Sequence, residues 1–375
     1  MTPDFERRIH CMFGLPFDAL GMDEAVSMLR DAVACQRACF LSTPNLNFVI
    51  AAQADEAFRN SVLHSDLSVA DGMPLVWVAR LLRIPMPERV AGSGLFERLR
   101  ESAGRPIAVY FFGAPDGVAE RACDRLNEVA SGLHCAGCDS PGFGSVEEMS
   151  GDERIARINA SGAEFVIVSL GARKGQAWIE RNRASLRAPL VSHLGAVVNF
   201  VAGTVSRAPL WMQRTGLEWL WRVKEEPGLW RRYGSDAMAF AKLLLAQTLP
   251  YAIQLRLRSP TRAQLAGARV TARASAGGVE IELGGAWSAD NAAPLRTALA
   301  HAALASASVS INLGQITHLD SAVVALIALL RAHCVCQGLA YLAEPVSSVA
   351  RQVFGYCGAG YVLRPSPSAI GVAPC

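Results

Sequence analysis

Between about residue 35 and residue 205 the chain repeats one plan five times: a short apolar run, a turn, then apolar residues at helical spacing. The repeats read "ACFLSTPNLNFVIAAQ", "LSVADGMPLVWVARLL", "PIAVYFFGAPDGVAERACDRLNEVA", "AEFVIVSLGARKGQAWIERNR" and "APLVSHLGAVVNFVAG". Strands alternating with helices cannot pair as hairpins. They build βαβ units and a parallel sheet, so the chain is an α/β protein. In such a sheet every turn that follows a strand lies at one edge, the carboxyl edge, where open α/β sheets bind ligands.

The second of these turns places Asp71 and Gly72 between an apolar strand and an apolar helix. A carboxylate there suits two jobs. It can cap the helix through its side-chain oxygen, or it can face the ligand edge as an acid or base.

A chain of 375 residues suits two units, one larger than the other. The net charge of +3 is too small to argue for a nucleic-acid partner, and we expect none. The first twenty residues, "MTPDFERRIHCMFGLPFDAL", hold no apolar core of signal-peptide length. Reduced thiols in the cytoplasm are therefore the expectation for the ten cysteines, including the "CAGC" pair Cys135 and Cys138. The most apolar stretch, residues 237–255, is interrupted by Lys242, Gln247, Pro250 and Gln254. A spanning helix needs about 20 mostly apolar residues, so this one reads as interfacial or buried.

The texture changes at Arg207. Residues 207–255 form an amphipathic appendage holding Trp211, Trp219, Trp221 and Trp230 among many arginines. Trp with Arg suits a bilayer interface carrying anionic lipid. Residues 256–269 are polar, with Pro and Gly, and read as a linker. Residues 270–375 read as a hairpin, then helix, strand, helix, strand and helix, a second and smaller α/β unit.

Seven blocks then occur in one order: "TPNLNFV", "ADGMPLVW", "ERVAGSGLF", "FFGAPDGVAE", "VSLGARKGQAWI", "HLGAVVNFVAGTVSRAP" and "GLEWLWRVKEEPGLWRRY". Over about residues 10 to 245 the chain resembles the WecG/TagA/CpsF glycosyltransferases. The resemblance implies a Rossmann-like transferase core over residues 1–206. It implies an inverting enzyme of polysaccharide or exopolysaccharide synthesis, peripheral at the cytoplasmic face of the inner membrane. Such an enzyme moves a sugar (N-acetylmannosaminuronate, N-acetylmannosamine, glucose or similar) from a UDP-sugar to a polyprenyl-diphosphate-linked saccharide. The strand "VSINLGQI", the turn "THLDSAV" and the helix "ALIALLR" make the second unit similar to a STAS domain. That likeness implies regulation, a protein partner or self-association, and makes Ser321 a candidate phosphorylation site next to Asp320.

The resemblance implies Asp71 as the base that deprotonates the acceptor hydroxyl. It implies Thr43, Asn45 and Asn47 as contacts to sugar or uracil, though Thr43 and Asn45 also suit helix capping. Gly72, Arg89, Gly92 and Ser93 join them, with a guanidinium able to clamp a diphosphate. Lys174 and Gln176 lie at another strand end. Arg214, Arg222, Arg231 and Arg232 of the appendage are candidates to neutralise the diphosphate under a lid. No Asp-x-Asp metal motif occurs in the sheet unit, so no metal or other cofactor is expected.

Three positions depart from the family pattern: Gly94 where Asp is usual, Gly175 in place of Gln, and Asn199 where Asp is frequent. They leave a second reading open, a catalytically degenerate scaffold that binds nucleotide or lipid and recruits partners. An NAD-type oxidoreductase is disfavoured because no G-x-G-x-x-G follows a strand.

Overall fold

Six parallel strands form the expected sheet in the order β4-β3-β8-β7-β5-β6. They are β3 (Cys39–Ser42), β4 (Leu67–Ser68), β5 (Ile107–Gly113), β6 (Leu133–Asp139), β7 (Phe165–Ser169) and β8 (Leu190–His193). The computed structural model describes residues 2–209, 211–212, 216, 218–225, 228–275 and 277–370. Every residue of β5 is buried, as expected for a strand covered on both faces. The helices that follow the strands include α2 (Leu46–Ala54), α3 (Glu56–Leu63), α4 (Met73–Leu81), α5 (Gly92–Glu101), α6 (Val118–Glu128), α8 (Ala172–Asn182) and α9 (Val197–Ala202).

An antiparallel hairpin precedes the sheet: β1 (Ile9–Met12) and β2 (Leu15–Asp18). Its two turn residues, Phe13 and Gly14, have φ of 55° and 81°. Positive φ at both centres is what a tight, right-twisted two-residue hairpin needs. Asp18 at the end of β2 is buried against Arg7. Arg7 Nε donates to Asp18 Oδ1 at 3.1 Å and an Arg7 terminal nitrogen to Oδ2 at 2.7 Å. Oδ2 also accepts from Ser68 N–H at 2.7 Å, and Arg7 donates to Ser65 O at 2.8 Å. The hairpin is thus bolted to β4, three residues ahead of Asp71.

The C-terminal region folds as read: β9 (Arg269–Ser275) and β10 (Gly278–Ala286) as a hairpin, then β11 (Val309–His318) and β12 (Tyr341–Val346) in parallel, in the order β12-β11-β10-β9. The stretch read as a linker carries a short helix, α13 (Arg262–Ala266), closed by a capping box between Thr261 and Gln264. The π-helical turn Leu244–Thr248 joins α11 (Leu229–Leu243) to α12 (Leu249–Leu257). Among the described residues no helix is long and apolar enough to cross a membrane.

One hydrophobic core runs through both regions. In α15 (Ser321–Cys336) every residue from Ser321 to Cys334 is buried. A helix apolar on all sides needs cover on all sides. Here β11 and its sheet lie on one side and β1 on the other, so Phe5, Ile9, Phe13 and Phe17 share a cluster with Leu326, Ile327 and Leu330. Gly14 N–H donates to Cys357 O at 2.6 Å, and a Cβ on Gly14 would lie 2.7 Å from Gly358 O. Ser321 Oγ lies 3.0 Å from His10 Nδ1 and is buried, while Asp320 caps α15 through Ala322 and Val323 N–H. A kinase would reach Ser321 only with the two regions parted. A cleft of about 240 Å³ at this junction is lined by His10, Tyr251, His318, Asp320 and Ser321, and Asp71 is not in its walls.

The cysteine pairing differs from the expectation of reduced thiols. Cys123 on α6 and Cys135 on β6 form a disulfide with their Cα atoms 5.1 Å apart, and Cys138 remains a free thiol. The packing of α6 across β6 brings residues 12 apart into contact. A spacing of three along one strand, as between Cys135 and Cys138, could not.

Candidate active site

The carboxyl ends of β3 and β4 are held side by side by backbone bonds. Val69 N–H donates to Ser42 O at 3.0 Å, Asp71 N–H to Pro44 O at 2.9 Å, and Val90 N–H to Ala70 O at 3.0 Å. They fix the Asp71 turn against the turn after β3 and against the start of α5. Asp71 does not cap the helix that follows it. Gly72 occupies the N-cap of α4 and makes no side-chain bond. The Asp71 carboxylate crosses instead to α5, where Oδ2 accepts from Gly92 N–H at 3.3 Å. A helix N-terminus favours a negative charge placed there.

Gly92 is required at this point. A Cβ would lie 2.5 Å from Leu194 Cδ2 and 3.3 Å from Thr43 Oγ1. Thr43, Gly92 and the turn after β8 are therefore in mutual contact, with Asp71 adjoining. Asn45 caps α2, accepting from Phe48 N–H at 3.2 Å. Asn47 is half-buried in the first turn of α2. Gln176 is buried on α8; its Nε2 donates to Ser42 Oγ at 3.1 Å, and its Oε1 has no hydrogen-bond partner among the described residues.

The appendage closes over this edge. Arg89 pairs with Glu218 of α10 (Glu218–Glu225) at 2.9 Å, both side chains over 80% buried. Arg207 donates to Ser93 Oγ at 3.1 Å. Gly216 approaches α4 so closely that a Cβ would lie 2.8 Å from Met73 Cβ, two residues past Asp71. Lys174 is turned aside, its Nζ donating to Gly144 O at 2.8 Å. Arg231 is exposed with its guanidinium over the Trp230 ring. Arg214 lies outside the described residues, as do the side chains of Arg222 and Arg232.

The structure adds two residues to this edge that the turn pattern did not single out. Ser42, the last residue of β3, is fully buried and holds Gln176. His193, the last residue of β8, is buried beside Phe48, with ring centres 6.2 Å apart. Burial alone pulls its pKa down to about 4, and its Nε2 has no hydrogen-bond partner among the described residues. Both sit at strand ends, so the rule that marks Asp71 marks them too.

The family profile of the WecG/TagA/CpsF glycosyl transferases matches residues 10–253, which span the six-stranded sheet and the appendage. The chain belongs to this family. It is a glycosyltransferase. Two curated relatives are both named N-acetylglucosaminyldiphosphoundecaprenol N-acetyl-beta-D-mannosaminyltransferase. The protein of Bacillus spizizenii (strain ATCC 23059 / NRRL B-14472 / W23) is 28% identical over 197 residues, 52% of this chain and 75% of its own. That of Bacillus subtilis (strain 168) is 27% identical over 193 residues, 51% and 73%.

One of this transferase's departures from the family pattern has a packing explanation. A Cβ at Gly175 would lie 2.3 Å from His193 Cδ2, so the imidazole fills the space that a side chain at this position would need. At Gly94 a Cβ would come closest to Met22 Cε, at 3.0 Å, the far end of a flexible side chain that can move aside. At the third position, Asn199 Oδ1 accepts from Thr204 Oγ1 at 3.3 Å and helps end α9.

Restoring the family residue should fail unless His193 is also removed. We expect Gly175→Gln to lower stability by about 1–3 kcal/mol, as overpacking does, and Gly175→Gln with His193→Gly to recover most of it. Thermal melts of the single and double variants check this. The imidazole also predicts an acid-side weakness. Its folded-state pKa lies below the ordinary value of 6.5, so the unfolded chain binds the extra proton between those values. Stability is complete above about pH 6.5 and falls towards pH 4. A His193→Asn variant should show a shallower loss of melting temperature over that window.

Proposed function

We propose that this transferase adds a sugar from a UDP-sugar to a polyprenyl-diphosphate-linked N-acetylglucosamine at a membrane surface. The observation that carries the reading is the Asp71 carboxylate, fixed at the shared ligand edge in the family block "ADGMPLVW". In this reading Asp71 accepts the proton of the acceptor hydroxyl. The freed oxygen attacks the anomeric carbon, and the bond to the UDP oxygen breaks, its electron pair leaving with UDP. Attack from the opposite face inverts the anomeric centre. Thr43, Asn45, Asn47, Gly92 and Gln176 hold sugar or uracil. Arg89, Ser93 and the appendage arginines Arg214, Arg222, Arg231 and Arg232 surround the diphosphate, while Lys174, held by Gly144 O, stands outside this set. The acceptor is supported by the names of the two relatives; the donor sugar is what the following test identifies.

The test is a panel of UDP-sugars offered with an N-acetylglucosaminyl-diphospho-lipid acceptor. Acceptor-dependent release of UDP is expected. UDP binding without turnover of any sugar would replace the reading with the nucleotide-binding scaffold.

A membrane contact is supported by a set of exposed apolar side chains. Trp77, Trp211, Trp219 and Trp230 are exposed, as are Leu245, Leu249, Ile253 and Leu257 on the helices that follow. We expect the protein to float with vesicles containing anionic lipid and Trp230→Glu with Ile253→Glu to abolish flotation. Unchanged flotation by the double variant would move the contact elsewhere. The C-terminal unit is assigned, by its STAS-like order of elements, to partner binding or self-association.

A further inference from the structure

At the back of the junction between the two regions, three side chains from three helices converge. His64 ends α3 and Glu180 lies on α8, both in the transferase region. Cys336 ends α15 of the C-terminal region. One ligating atom from each, an imidazole nitrogen, a carboxylate oxygen and the thiol sulfur, lie within 4.8 Å of one another.

The hydrogen bonds around His64 call for a positive charge. Its Nε2 lies 3.2 Å from Ala332 O, a carbonyl that can only accept, so Nε2 carries a proton. Its Nδ1 lies 2.9 Å from Glu180 Oε1, a second acceptor. An imidazole between two acceptors needs one more cation, either a second proton or a metal ion at Nδ1. Glu180 Oε2 is buried with no hydrogen-bond partner among the described residues, which leaves carboxylate capacity unused. Arg183 steadies the pair, donating to His64 O at 2.9 Å and to Glu180 Oε1 at 3.3 Å.

A proton would satisfy His64 and Glu180 but gives no reason for a thiol beside them. A zinc-type ion uses all three. Imidazole nitrogen and carboxylate oxygen bind zinc at about 2.0–2.2 Å, so a 2.9 Å separation fits two ligands at about a right angle. Thiolate binds at about 2.3 Å, so Sγ must close by up to about 1 Å, which exposed Cys336 can do by side-chain rotation. The Nε2–H bond to Ala332 O is the kind that fixes tautomer and ring orientation in ligating histidines.

We propose that His64, Glu180 and Cys336 form a zinc-type site that clamps the C-terminal region to the transferase. It has three protein ligands and a position open to water. Binding releases the thiol proton of Cys336. Because the ligands come from both regions, an ion here stabilises their docking by mass action.

The full-length protein, stripped with chelator and re-dialysed against Zn²⁺, should retain one equivalent by elemental analysis. Cys336→Ser and Glu180→Gln should each weaken retention about tenfold or more. Co²⁺ should give a thiolate-to-metal charge-transfer band that Cys336→Ser removes. Zn²⁺ should raise the melting temperature of the native protein and not of Cys336→Ser. That variant changes an exposed helix end, and circular dichroism checks that it folds. No retained ion, or retention and a cobalt spectrum indifferent to Cys336→Ser, would overturn the site and leave a His64–Glu180 ion pair.

Discussion

Replacing Asp71 by Asn should lower sugar transfer by about 10²–10⁴-fold, the range a positioned general base contributes. Nucleotide binding should be nearly unchanged. The amide keeps an oxygen for Gly92 N–H, so the hold between the Asp71 turn and α5 survives while the proton acceptor is lost. The variant therefore separates chemistry from architecture. Single-turnover rates with a saturating lipid acceptor, compared with UDP affinity by calorimetry, check it. A rate within a factor of about three of native would remove Asp71 as the base, because no general-base role is that small. A Gly92 variant could not do this, since any Cβ there strikes Leu194 and disturbs the site itself.

The second large effect concerns α15. Leu326 is fully buried in the cluster that holds Ile9 and Phe17 of the N-terminal hairpin. Leu326→Ala should cost about 2–5 kcal/mol, the usual range for a buried leucine that leaves a cavity. Total stabilities lie at about 5–15 kcal/mol. The loss should be felt by the transferase, because β1 and β2 carry Asp18, which holds Ser68 on β4 three residues before Asp71. Calorimetry should show one transition, moved to lower temperature, with transfer activity disappearing in step. Two transitions, with activity surviving the first, would mean that the regions fold independently.

The alternation of apolar runs and turns announced the parallel sheet, because period and turn chemistry act locally. It could not give the strand order, which places β8 between β3 and β7. That order is what brings His193 to Gly175 and Ser42 to Gln176. Asp71 was visible because a charge between two apolar elements stands out. Its partner was not, since Gly92 N–H is a backbone group 21 residues away. Arg89 read as a diphosphate clamp; its ion pair with Glu218 spans 129 residues, and no local pattern encodes it. The same holds for α15. The second surface covering it comes from the opposite end of the chain.

His10 and Ser321, which meet across that contact, are 311 residues apart in sequence. A ribosome adds about 5–20 residues per second. The apolar hairpin therefore leaves the exit tunnel roughly 15–60 s before the helix that covers it has been made. For that interval Ile9, Phe13 and Phe17 form a sticky flap on a nascent chain. Newly made protein will depend on chaperones in proportion to translation time, and slow codons before residue 321 should aggravate aggregation where slow codons after residue 336 do not.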